Sequence, residues 1–256
     1  SMRSTQAMPI RWRPGHALLA AAALLIAAWG GSNQPASSAA ALVIARNLDL
    51  NSLDPHRSFC DTCQIYNSSV YQTLTTLDAD NKVVPLLATK WQVSPDQRRF
   101  VFHLDPSARF SDGSAVEARD VKWSWQRLAN LKGSAAFLMD SVAEIATPDA
   151  ATVEVSMHSP NSEFLMIVAA PYAAIINSDV AEQAGARADA KAFSSDTSEG
   201  WFLQHSAGSG PYVLASYRPN AELRVKRSTN YWRNAPPLSE IVFRHVKDAV
   251  AQAQML

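Results

Sequence analysis

The sequence predicts a mixed α+β fold, and three observations carry that expectation. Short alternating runs pair as hairpins, Trp91–Val93 with Arg99–Leu104 and Tyr212–Tyr217 with Glu222–Arg227. Helical periodicity appears between them, and no regular strand–helix–strand series links the elements. At 256 residues, 47% of them apolar, the chain can bury a sizeable core.

Taken in order, Leu42–Arg46 alternates and reads as a first strand. Gln64–Leu77 reads as a helix, with Tyr66, Val70, Leu74 and Leu77 on one face. Asp80-Asn81 is a turn. Ser94-Pro95-Asp96-Gln97 closes the first hairpin, whose second strand places Phe100, Phe102 and Leu104 on one side. Asp112-Gly113 makes a tight turn ahead of a helix over about 118–129, with Val121, Trp125 and Leu128 inward. Asp120 can reach back to the free N–H groups of that helix, while Glu117 is a poor N-cap residue. Thr152–Met157 is a strand, Glu163–Ala169 a helix, and Ala173–Ile176 a short strand. Residues 185–200, rich in Ala, Ser and Asp without period, read as a surface loop. Pro219-Asn220 turns the second hairpin, Ile241–Val246 is a strand, and a helix begins near Asp248.

The first forty residues carry Arg3, Arg11 and Arg13 and no acid. An unbroken apolar run from Ala17 to Trp29 follows, too short to cross a bilayer comfortably, and small residues lead to Ala39-Ala40-Ala41. This is the pattern of a cleaved secretory signal, with a membrane anchor as the alternative. We assign residues 1–41 to signal and linker. The stretch resembles a lipoprotein signal in which Trp29 stands where an acylated Cys would be, so no lipid anchor is expected. Charge is balanced at 23 basic and 23 acidic residues, which gives no electrostatic case for a nucleic-acid partner. No nucleophile elbow, paired-carboxylate motif or phosphate loop is visible. No catalysis and no cofactor are therefore expected, and the scattered histidines read as surface or satisfied positions.

Several stretches, read together and in order, resemble one family. They are NSLDPHR, YQTLTTLDADNKVVPLLATKWQVSPD, FVFHLDPSARFSDGSAVEARDVKWSWQRL, GSGPYVLASYRPNAELRVKRSTNYW and LSEIVFRHV. They are similar to the N-terminal portion of the family 5 extracytoplasmic solute-binding proteins, which bind oligopeptides and dipeptides for ABC transporters. The resemblance implies a type II periplasmic-binding-protein clamshell. Only the first lobe would lie here, over residues 42–256, with 42–63 and 201–256 forming the core sheet and about 64–190 an inserted subdomain. It also implies a periplasmic monomer that takes a peptide or small solute between two lobes and hands it to a membrane permease. In that family the segment after the DPH stretch lines the cleft, which places Phe59, Cys60, Asp61, Thr62 and Cys63 there. Phe137, after the long helix, either faces the ligand or is an ordinary buried ring. Gly208, Gly210 and Pro211 are read as structural.

Cys60-Asp61-Thr62-Cys63 departs from the family pattern. A short-range disulfide leads in an oxidising compartment. Two free thiols, a metal site that adds His56, or an exported thiol oxidoreductase remain alternatives; a lone C-x-x-C is weak evidence for zinc. Export with cleavage near Ala41 makes a direct prediction. N-terminal sequencing of extracytoplasmic material should start at or close to Leu42, and a start at Ser1 or Met2 would rule the signal out.

Overall fold

The computed structural model describes residues 40–247. The signal segment with Trp29, and the helix expected from Asp248, lie outside the described residues. In chain order the elements are β1 (Ala41–Arg46), α1 (Asp61–Val70), β2 (Thr75–Leu77), β3 (Val83–Pro85), β4 (Ala88–Val93), β5 (Arg99–Leu104), α2 (Ala118–Asn130), β6 (Val142–Asp149) and β7 (Thr152–Met157). They continue with α3 (Phe164–Ile167), α4 (Ser178–Gln183), α5 (Ala192–Ser195), α6 (Glu199–Phe202), β8 (Tyr212–Arg218), β9 (Glu222–Arg227) and β10 (Glu240–His245).

Two four-stranded sheets organise these elements. One runs β1-β10-β9-β8, with β1 parallel to β10 and the rest antiparallel; the other, all antiparallel, runs β4-β5-β7-β6. The parallel pair matches Ala41 to Glu240 and Arg46 to His245. The first strand is thus clamped by the last one, about 200 residues away. The expected cleavage site therefore abuts the sheet, since Ala41 is already paired.

Both hairpins form as the alternation predicts. Gln97 and Asn220 take the left-handed conformation, with φ of 56° each, which two of the turn positions require. Phe100, Phe102 and Leu104 point into a core shared with α2, whose Val121, Trp125 and Leu128 are sealed from solvent. Phe164 wedges between these layers, with its ring centroid 4.9 Å from Phe100 and 5.9 Å from Trp125. Each fully buried side chain of this size contributes roughly 1.5–3 kcal/mol. Asp120 closes the start of α2 by accepting from the Glu117 N–H at 3.0 Å, and its other oxygen accepts from the Ser178 hydroxyl at 2.6 Å.

The structure departs from the sequence reading in three places. The helix expected over Gln64–Leu77 stops at Val70, and Thr75–Leu77 is strand β2. Leu74 is buried but Leu77 is 39% exposed. The β-branched Thr73, Thr75 and Thr76 favour extended chain, and the Val70 carbonyl is taken by the Gly210 N–H at 3.0 Å. Ala173–Ile176 is not a regular strand; it follows a short 3-10 turn, with Ile175 bridging Gln72 in isolation. Residues 185–200 lie largely at the surface as expected, but they are not an irregular loop throughout. They carry α5 and the first half of α6, and Ala186, Ala192 and Ser198 are completely buried.

The glycines before Pro211 owe their place to closeness rather than to unusual dihedrals. A Cβ on Gly208 would lie 2.1 Å from the Val70 carbonyl oxygen, and one on Gly210 would lie 2.6 Å from the Val70 carbonyl carbon. Backbone cannot retreat as a flexible side chain can. Gly208→Ala should therefore lower unfolding free energy by about 1–3 kcal/mol in urea titration, with Gly200→Ala, open to space, as a near-neutral control.

Candidate binding wall and its buried support

The site is built from the turn that precedes α1. Asp54 accepts the backbone N–H groups of Arg57 and Ser58 on its carbonyl, at 3.0 and 2.9 Å, and Pro55 and His56 sit inside that turn. The Asp54 carboxylate meets Arg127 of α2 in a two-pronged pair at 2.8 and 2.6 Å, both side chains inaccessible to solvent. A second carboxylate, Asp196, accepts from Arg127 Nε at 2.9 Å, and Ser198 Oγ accepts from Nη2 at 3.1 Å. Arg57 reaches Asp196 at 3.2 Å. The rings of Phe202 and Trp123 flank the guanidinium at 5.4 and 5.9 Å.

His56 completes the cluster. Its Nε2 lies 2.9 Å from the Ala174 carbonyl, and its Nδ1 lies 3.2 Å from Arg127 Nη1. Arg127 can only donate, so Nδ1 accepts and the proton sits on Nε2. Burial and then the Arg127 charge press the His56 pKa down to about 4. Burial pushes the Asp54 and Asp196 carboxyls upward, but Arg127 outweighs it and holds both below the usual carboxylate range. With a neutral His56, two cations and two anions balance. Both ring nitrogens are engaged, so the metal reading that joined His56 to the cysteines has no free imidazole to use. Among the described residues, no group of three or more His, Cys, Asp or Glu is placed to hold a metal.

The segment that follows faces outward in part. Phe59 is 47% exposed and Phe137 55% exposed, their centroids 6.3 Å apart in an edge-on arrangement. Tyr172 supports Phe59 at 5.1 Å, and its hydroxyl both accepts from the Cys60 N–H at 3.1 Å and donates to the Cys60 carbonyl at 3.0 Å. Asp61 is exposed, and Cys60 partly so. Thr62 and Cys63, expected at the same wall, turn inward with 1% and 0% exposure. Thr62 donates its hydroxyl to Asp49, which also accepts the N–H groups of Asp61 and Thr62 at 3.2 and 3.0 Å. Cys60 and Cys63 are joined as a disulfide, with 5.0 Å between their Cα atoms.

Farther along α1 a recess of about 270 Å³ opens beside Ser68, Gln72, Pro171 and Tyr231. Sequence reasoning passed over Asp49, Tyr172, Arg127, Asp196 and Tyr231. Only Arg127 carried a signal, a charge sharing a helix with Val121, Trp125 and Leu128, and that signal is weak.

The architecture belongs with periplasmic binding proteins. The protein AgaA of A. tumefaciens R10, solved in complex with agropinic acid, aligns with a TM-score of 0.71 at 25% identity, covering 84% of this chain and 42% of that one. The Helicobacter pylori protein DppA, solved with the peptide STSA, shares the fold at a TM-score of 0.72 and 20% identity, over 84% and 44% of the two chains. Residues 82–256 match the family described as bacterial extracellular solute-binding proteins, family 5 Middle, and the chain belongs to that family. A probable D,D-dipeptide-binding periplasmic protein of Escherichia coli K12, DdpA, is 28% identical over 84% of this chain and 41% of its own length. The glutathione-binding protein GsiB of Salmonella typhi is 30% identical over 84% and 40%. The chain thus spans about two-fifths of the length of these curated relatives.

Two predictions follow from the buried cluster. Arg127→Met leaves two buried carboxylates with only the partly exposed Arg57 as counter-charge and should cost about 3–5 kcal/mol in urea unfolding; a loss below about 1 kcal/mol would contradict the role given to this ion cluster. The folded protein binds fewer protons on His56 than the unfolded chain does. Stability from this group is therefore complete above pH 6.5 and drains as pH falls towards about 4. A melting temperature that stays flat across that window would show that His56 is not held neutral.

Proposed function

We propose that this chain supplies the first lobe of an extracytoplasmic solute-binding protein of an ABC importer, taking a short peptide or similar solute and passing it to a membrane permease. It acts as a monomer in the periplasm, without a lipid anchor, without catalysis and without nucleic acid. The observation that carries the reading is the exposed Phe59–Phe137 pair, held on a rigid base by Tyr172 and by the buried ion cluster behind it. An isolated exposed aromatic is common, but two in contact beside the exposed Asp61 form a surface suited to an amphipathic ligand. The relatives' names, dipeptide and glutathione, agree with a short peptide. No described helix is long and apolar enough to cross a membrane.

Within this wall the contacts fall to Phe59, Cys60, Asp61 and Phe137, with Thr62 and Cys63 holding the turn from inside. One wall leaves the ligand's hydrogen bonds competing with water, so this chain alone should bind weakly. Titration with short peptides, followed by NMR, should therefore move the amides of Phe59–Asp61 and the Phe137 ring in fast exchange. Phe59→Ala and Phe137→Ala should each weaken the response several-fold while barely changing the melting temperature, since both rings are largely exposed. Peptides that perturb only other surfaces, or none at millimolar concentration, would refute the wall. A large loss of stability in both variants with binding intact would mark the rings as scaffold.

A further inference from the structure

The first turn of α1 distributes its hydrogen bonds unevenly, and the two sulfurs sit on opposite sides of that division. The N–H groups of Asp61 and Thr62 go to the Asp49 carboxylate, and that of Gln64 goes to the Cys60 carbonyl at 3.1 Å. The N–H of Cys63 is aimed instead at Cys60 Sγ, 3.0 Å away. Cys60 is the N-cap of a ten-residue helix, so its sulfur faces a backbone donor at the positive end of the helix dipole, where a thiolate is favoured. Cys63 Sγ faces acceptors: Asn51 Oδ1 at 3.2 Å and the Ser52 carbonyl at 3.7 Å. A disulfide sulfur has no proton to give them, whereas a Cys63 thiol donates to Asn51 directly. The surroundings are complementary to a Cys60 thiolate and a Cys63 thiol. Accessibility divides the same way: Cys63 is sealed, and Cys60 is partly open beside the exposed Phe59.

We propose that the Cys60–Cys63 pair is a thiol–disulfide exchange site, attacked at Cys60 by a low-molecular-weight thiol that is then carried as a mixed disulfide against the Phe59–Phe137 patch. The thiolate of the incoming molecule bonds to Cys60 Sγ. The Cys60–Cys63 bond breaks and its electron pair leaves on Cys63, which takes up the proton that the incoming thiol gave up and then hydrogen-bonds through its S–H to Asn51 Oδ1. Return attack by deprotonated Cys63 on Cys60 Sγ expels the thiol and restores the disulfide, so capture is reversible. A second molecule of the thiol, attacking the sulfur of the captured one, would instead release its own disulfide and leave Cys60 as thiolate. The chemistry is the same whether or not the wall also takes a peptide without a thiol.

The test uses reduced and oxidised glutathione as probes. In the folded wild-type chain, millimolar reduced glutathione should open the bridge. Competitive alkylation with iodoacetamide, read by peptide mass mapping, should then label Cys60 at least about ten-fold faster than Cys63. Oxidised glutathione should add one glutathionyl group to Cys60 in Cys63→Ser, and react at least about ten-fold more slowly with Cys63 in Cys60→Ser. The wild-type competition needs neither variant to fold. A bridge that resists glutathione until the protein unfolds, or two cysteines that alkylate at equal rates, would overturn the proposal.

Discussion

Arg127 is the residue on which the other parts converge. It lies in the last turn of α2, flush with the core, and it is wholly inaccessible. A bare guanidinium there could not be tolerated, so the fold must bring it compensation from elsewhere in the chain. The compensation comes from both directions in sequence: Asp54 from the turn before α1, and Asp196 from the turn between α5 and α6. Two segments otherwise without reason to meet are thereby pinned to one helix. Such a cluster adds little net stability over a well-packed apolar one; it penalises any arrangement that leaves one charge alone. Here that penalty fixes where the turn bearing Phe59 emerges.

His56 shows how finely the cluster is balanced. Its ring accepts from a cation and donates to the Ala174 carbonyl, so it connects the turn to the stretch after Tyr172. The same stretch holds Cys60 through the Tyr172 hydroxyl. The exposed aromatic pair is therefore supported twice, once by ions beneath the turn and once by a phenol at its side. A wall that must present two rings to water without collapsing onto them needs this kind of rigid support.

Much of the fold was legible because it depends on local pattern. The alternation in β5 and β9, the i, i+4, i+7 spacing of Val121, Trp125 and Leu128, and the turn chemistry at Asp112-Gly113 all act within a few residues. The helix over Gln64–Leu77 was overdrawn for the same reason: Leu74 and Leu77 continue the apolar spacing, and periodicity cannot register that Gly210 claims the carbonyl of Val70. The stretch 185–200 shows the converse. Its Ala and Ser residues have no period because they pack in short turns around Asp196, whose partner lies 69 residues away.

By itself the sequence determined the α+β class, both hairpins, the long helix and the family, since ordered local motifs survive without knowledge of contacts. It also placed Phe59 through Cys63 in one candidate segment. Only the tertiary structure decided which of those five reach the surface. Inward or outward direction at a helix start is set by the N-cap and by what packs behind it, here Asp49, Tyr172 and Asn51. The tertiary structure likewise decided that Arg127, on paper an ordinary helical cation, is buried between two distant carboxylates. Burial of a charge is a property of its partners, and those partners are brought to it by the fold.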